Sequence, residues 1–111
     1  MMSSAKLPEK FVPAALVIEC VAGFFAISVS DLRGPRVSTS LNRARQVATL
    51  LMVDHSMVSQ VEIGHALGRK GISAGRDLLL AALKIKGDDQ RFGQLLEQVR
   101  QRLTDGDDHG E

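Results

Sequence analysis

The stretch from Ser56 to Lys86, SMVSQVEIGHALGRKGISAGRDLLLAALKIK, constrains this chain more than any other. Val61, Ile63 and Leu67 are apolar over a first helix of about Ser59 to Leu67, and Gly64 sits in its middle. Gly68 follows where a helix end favours a residue that tolerates positive φ. Arg69, Lys70 and Gly71 form the turn, and a second helix begins near Ile72 with Ser73 as its candidate N-cap. A small residue at Gly64 would let the two helices approach closely. Two helices crossed at a short turn are the unit that places a recognition helix in the DNA major groove. An ordinary helical hairpin inside an all-α core is the alternative.

The chain of 111 residues suits one domain with one core. Proline is scarce and strand-like alternation is brief, so the expected class is all-α. The formal net charge of +1 hides an asymmetry. Residues 104–111 carry four acids and no Lys or Arg, which leaves 14 bases against 9 acids in residues 1–103. A basic body of this kind fits a polyanion partner. The one cysteine, Cys20, allows no internal disulfide and reads as a buried thiol in a reducing, cytoplasmic and nucleoid-associated setting. The apolar run Phe11 to Ile27 follows Lys6 and Lys10 as a signal peptide would. Glu19 in its middle and its shortness relative to the roughly 20 residues of a spanning helix argue against export and membrane insertion.

Taken in order, residues 1–10 are expected to be disordered, residues 11–103 to form the domain, and residues 104–111 to form a disordered acidic tail. Pro13 suits the first turn of a helix that runs to about Ala26. Leu16, Val17, Cys20, Val21 and Phe24 share one side of it. So wide an apolar face fits a core helix or a contact with a second chain. Ser28 and Asp31 resemble a capping box over a short helix that Gly34-Pro35 ends. The next helix runs from about Leu41 to Asp54, with Leu41, Ala44, Ala48 and Leu51 inward. Arg43 and Arg45 near its start sit at the positive end of the helix dipole, a conflict that a nearby anion would remove. Arg33 and Arg36 precede them, with the donors Ser38, Thr39 and Ser40 between, and no acid lies between Arg33 and Gln46. A phosphate-facing loop would use these groups; a solvated basic face is the plainer reading. In the helix after Ser73, only the first turn with Ser73, Arg76 and Asp77 should face outward freely, and the apolar run Leu78 to Leu83 should be packed. Phe92, Leu95, Leu96, Val99 and Leu103 then mark a final amphipathic helix.

No phosphate-binding loop, nucleophile elbow or His/Cys cluster is present, and Glu19, Asp31 and Glu62 are isolated carboxylates. His65 has no second ligand at suitable spacing. The expectation is a non-enzyme without cofactor or metal.

Several segments together resemble the C-terminal DNA-binding domain of the bacterial replication initiator DnaA. VAGFFAISVSDL, Val21 to Leu32, is similar to that family's first long helix with its aromatic pair, turn and Val-x-Asp-Leu. LNRARQVATLL, Leu41 to Leu51, resembles its Ala-Arg-Pro-Arg-Gln helix start, with Ala44 in place of the proline. EIGHALG, Glu62 to Gly68, matches Glu-Ile-Gly-x-x-Phe-Gly. The likeness covers about Phe11 to Leu103. The family's ATPase module has no counterpart here. The resemblance implies a helix-turn-helix that reads the major groove and a basic-loop arginine that enters the minor groove. By position it implies phosphate contacts at Arg45 and Gln46 and a base contact at Ser73. The loop arginine falls near Arg36, although the strict register places Val37 there. Gly71 and Ile72 stand where the family has base-reading Asp and His; Lys70 keeps the preceding charge. Asp and His offer directional bonds to base edges and Gly and Ile do not, so backbone contacts should persist while box specificity changes. SQVEIGHALGRKGIS is also similar to the helix-turn-helix of the tryptophan repressor, and a repressor-like reading would require an intertwined homodimer.

The expected function is that of a small DNA-binding protein regulating replication initiation or transcription. Its interface would comprise Arg33, Arg36, Ser38, Thr39, Ser40, Arg43, Arg45, Gln46, Arg69, Lys70, Ser73 and Arg76. Double-stranded DNA is the expected partner, with no membrane. The rival expectation is a degenerate helix-turn-helix that binds a replication or transcription protein, or a second copy of itself.

Overall fold

The computed structural model describes residues 11–108, with side chains to residue 105. It contains six helices and, among the described residues, no strand: α1 Ala14–Phe25, α2 Val29–Arg33, α3 Thr39–His55, α4 Gln60–Ala66, α5 Ala74–Asp88 and α6 Gln90–Asp108. The all-α expectation holds. The expected disordered segment 1–10 lies outside the described residues, as do residues 109–111.

α3 is the axis of the domain. Leu41, Ala44, Val47, Ala48, Leu50, Leu51 and Met52 are all buried on it, and α1, α2, α5 and α6 pack around it. The expected stripe on this helix is therefore complete, and burial extends beyond it. α1 is anchored at its start to the far end of α3. The Val12 N–H donates to the His55 carbonyl (2.8 Å), and the buried Ser56 hydroxyl donates to the Val12 carbonyl (2.6 Å). The inward face of α1 overlaps the expected one but is shifted. Val17 and Val21 are buried and Cys20 and Phe24 are half-buried against the core, with Ile18 and Ala22 added and Leu16 turned out, half exposed. With the helix apolar on most sides, periodicity alone does not select the covered face.

α6 lays Phe92, Leu96, Val99 and Leu103 into the same core, as its pattern requires. Asp89 caps it, accepting the Arg91 N–H (2.9 Å) and the Phe92 N–H (3.4 Å). Arg100 ties it to the end of α3 through Asp54 (2.8 Å). The helix continues to Asp108, so residues 104–108, expected to belong to a disordered acidic tail, are helical. Among the described residues, no helix is long and apolar enough to cross a membrane.

α5 departs from expectation. Only Gly75 and Ala82 are buried on it, while Leu80 and Leu83 are 54% and 48% exposed. α3, α4 and α6 cover one side of α5, and the apolar run Leu78 to Leu83 is long enough to wrap past that side onto the surface.

Candidate nucleic-acid interface

The corner between α4 and α5 is built on glycine. A Cβ at Gly64 would stand 3.1 Å from the backbone nitrogen of Gly75, and a Cβ at Gly75 would enter the space of the Gln60 carbonyl. The two helices therefore touch backbone to backbone, as the small residue at Gly64 suggested. Gly75 completes the contact, and sequence reasoning had missed it. α4 opens on a full capping box: the Ser59 hydroxyl accepts from the Glu62 N–H (3.2 Å), and the Glu62 carboxylate accepts from the Ser59 N–H (2.7 Å). This S-x-x-E spacing is legible in the chain at 59–62. α4 closes at Gly68, whose φ of +73° is the left-handed geometry expected of it. Gly71 follows at φ +96° with open space around it.

The end of α2 presses on this corner. The missing side chain of Gly68 makes room for the Arg33 carbonyl. Arg33 in turn donates from Nε to the Ala66 carbonyl (3.0 Å) and from Nη2 to the His65 carbonyl (3.2 Å), satisfying the open end of α4. Arg69 reaches back from the corner to the Gly34 carbonyl (2.9 Å). Segments 33–34 and 65–69 are thus joined by three hydrogen bonds.

Arg45 requires a correction. It is 2% exposed, and its guanidinium donates to the carbonyls of Leu32 (2.9 Å), Asp31 (3.0 Å) and Gly34 (3.0 Å). Burial, followed by the neighbouring charge of Arg69, pushes its pKa below the ordinary arginine value; Asp31 works the other way. The partners are neutral carbonyls at the end of α2 and not the anion that the dipole conflict suggested, so Arg45 is an internal brace and not a phosphate ligand. Arg33 is likewise committed to α4, although its side chain remains exposed.

Arg43 and Gln46 belong to another neighbourhood. Arg43 donates to Gln46 Oε1 (3.2 Å), lies 3.7 Å from the Asp89 carboxylate and stacks over the Phe92 ring at 5.9 Å. Both are half-buried, and the guanidinium of Arg43 is turned to the start of α6. Ser38 caps α3 by accepting the Leu41 N–H (3.1 Å), and Thr39 and Ser40 are exposed on the first turn. Ser28 accepts the Asp31 N–H (2.9 Å), one half of the expected box. The Asp31 carboxylate lies instead 3.6 Å from Arg36, which is highly exposed. Lys70, Ser73 and Arg76 are exposed; Ser73 occupies the N-cap position of α5 without a capping bond from its side chain. The exposed groups are therefore Arg36, Ser38, Thr39 and Ser40 between α2 and the first turn of α3, and Lys70, Ser73 and Arg76 between α4 and the first turn of α5.

Comparison with known proteins agrees with this architecture. The sequence profile of the family described as "Bacterial dnaA protein helix-turn-helix" matches residues 14–74. The chromosomal replication initiator protein DnaA of Neisseria meningitidis serogroup C is 27% identical over 91 residues, which are 82% of this chain and 18% of that protein. The corresponding protein of Neisseria gonorrhoeae matches with the same figures. The chain therefore spans less than a fifth of the length of these relatives.

Proposed function

The chain belongs to the bacterial DnaA helix-turn-helix family, and on that premise we propose that it binds double-stranded DNA, with segment 36–40 and corner 68–76 acting as one surface. The observation that carries this reading is the Arg33, Arg45 and Arg69 network on the α2 end, because it joins a basic loop to a helix-turn-helix corner without using Arg36, Lys70 or Arg76. Arg36 and Lys70 would meet phosphates, with Thr39 and Ser40 as neutral donors. Ser73 and Arg76, at the start of α5, would face base edges. In a cell, such a domain would occupy control sites for replication initiation or transcription.

Salt titration of binding to duplex DNA tests the proposal. Two cationic phosphate contacts correspond to a log–log slope of about −2, since each releases roughly 0.9 counterion. Binding that ignores salt, or no binding at low salt, contradicts it. Lys70→Ala should weaken all sequences about equally and flatten the slope by about one, whereas Arg76→Ala should change sequence preference.

One observation favours a second reading, a protein-interaction or self-association module: Leu80 and Leu83 are exposed on the outer part of α5. Sedimentation of the protein with Leu83→Lys separates the two. A self-association that this change abolishes, with DNA binding absent throughout, would select the interaction module.

A further inference from the structure

Ile72 is the most exposed large hydrophobic side chain among the described residues, at 84%. It stands between Gly71, with its φ of +96°, and Ser73, the N-cap residue of α5. The exposed cations Lys70 and Arg76 flank it in sequence. A bare isoleucine loses hydrophobic stabilisation in water and offers no hydrogen bond to any partner. Its sequence neighbours Lys70, Gly71, Ser73 and Arg76 are not apolar, so along the chain it is a single bare apolar side chain in a cationic segment. On a duplex, the sequence-specific apolar feature of the major groove is the thymine C5-methyl group.

We propose that Ile72 is a specificity-determining residue that packs against a thymine methyl in the major groove, while Lys70 and Arg76 hold the adjacent backbone and base edges. The inference rests on the DNA-binding reading and deepens it. Readout here is by shape and methyl contact in place of hydrogen bonding. The family's directional donors and acceptors are missing at 71–72, and methyl contact still allows discrimination of thymine from the other bases at that position.

The test begins with selection of bound sequences from a random duplex pool by the full chain. Each thymine of the selected site is then replaced in turn by deoxyuridine, which lacks only the methyl group. One or two positions should lose about fourfold in affinity, the equivalent of one buried methyl-sized group. That loss should vanish in Ile72→Ala and persist in Lys70→Ala. Ile72→Ala removes an exposed side chain, so its fold should be intact, with an unfolding midpoint like that of the parent. Three results overturn the inference: a pool with no enriched sequence, affinity indifferent to every uracil, or undiminished methyl dependence in Ile72→Ala. In each of these, duplex binding itself survives, so the DNA-binding reading stands. Loss of all duplex binding in the unaltered protein overturns both.

Discussion

Arg45→Ala should destabilise the fold by about 3 kcal/mol and loosen the α2 end before it alters any DNA contact. The estimate follows from the partners. Hydrogen bonds from a charged donor contribute about 1.5–3 kcal/mol each, and truncation leaves their acceptors without a donor. Gly34 retains Arg69 as a donor and the Asp31 carbonyl retains the Gly34 N–H (3.2 Å), but the carbonyl of Leu32 has no replacement among the described bonds. α2 is five residues long, too short to persist without tertiary support. Arg45 supplies that support from α3, closing the carbonyl end of a helix thirteen residues earlier in the chain. Arg45→Lys keeps the charge but not the fork, and should recover only part of the loss. Urea unfolding measures both. An unfolding midpoint unchanged in Arg45→Ala, with the salt slope of DNA binding smaller by about one, would return Arg45 to the role of a phosphate ligand.

Gly75→Ala should be at least as damaging, about 3 kcal/mol or more, and could prevent folding altogether. The added carbon would collide with the Gln60 carbonyl, which is backbone and cannot swing aside like the end of a long side chain. Relief requires α4 to separate from α5, and with it the corner that carries Lys70 to Ser73. The same change at Gly87, on the same helix, meets nothing within 4 Å. There alanine should stabilise by about 0.5–1 kcal/mol through helix propensity. Thermal unfolding of the two variants checks the contrast in sign. Equal effects at the two positions would mean that the backbone contact at Gly64 and Gly75 is not what holds the corner.

Much of the architecture was readable from the chain because its signals are local. The spacing of Phe92, Leu96, Val99 and Leu103 specifies a helix face without reference to any partner, and Gly68 declares its own conformation. Gly64 hinted at a close crossing, but naming Gly75 needs the knowledge of which residues of α5 lie over Gln60. The arginines were legible as a group and misleading one by one. Their crowding at the start of α3 pointed to anionic partners, and for Arg45 the partners are neutral carbonyls. Whether those partners are phosphates or carbonyls depends on the path of residues 28–34, and only the folded chain shows Arg45 inside and Arg43 turned towards Phe92. Leu16, Leu80 and Leu83 illustrate the same boundary. A helix apolar on most sides does not reveal which side its neighbours will cover.

The central claim is that the α2–α3 loop and the helix-turn-helix corner meet a duplex together. Amide chemical shifts of the labelled protein, followed while a short duplex is added, test this most directly. The account predicts that the largest changes fall in two groups, residues 35–40 and 70–77, and saturate at the same duplex concentration. Changes confined to one group, or spread along α1 and α6 with both groups silent, would contradict it.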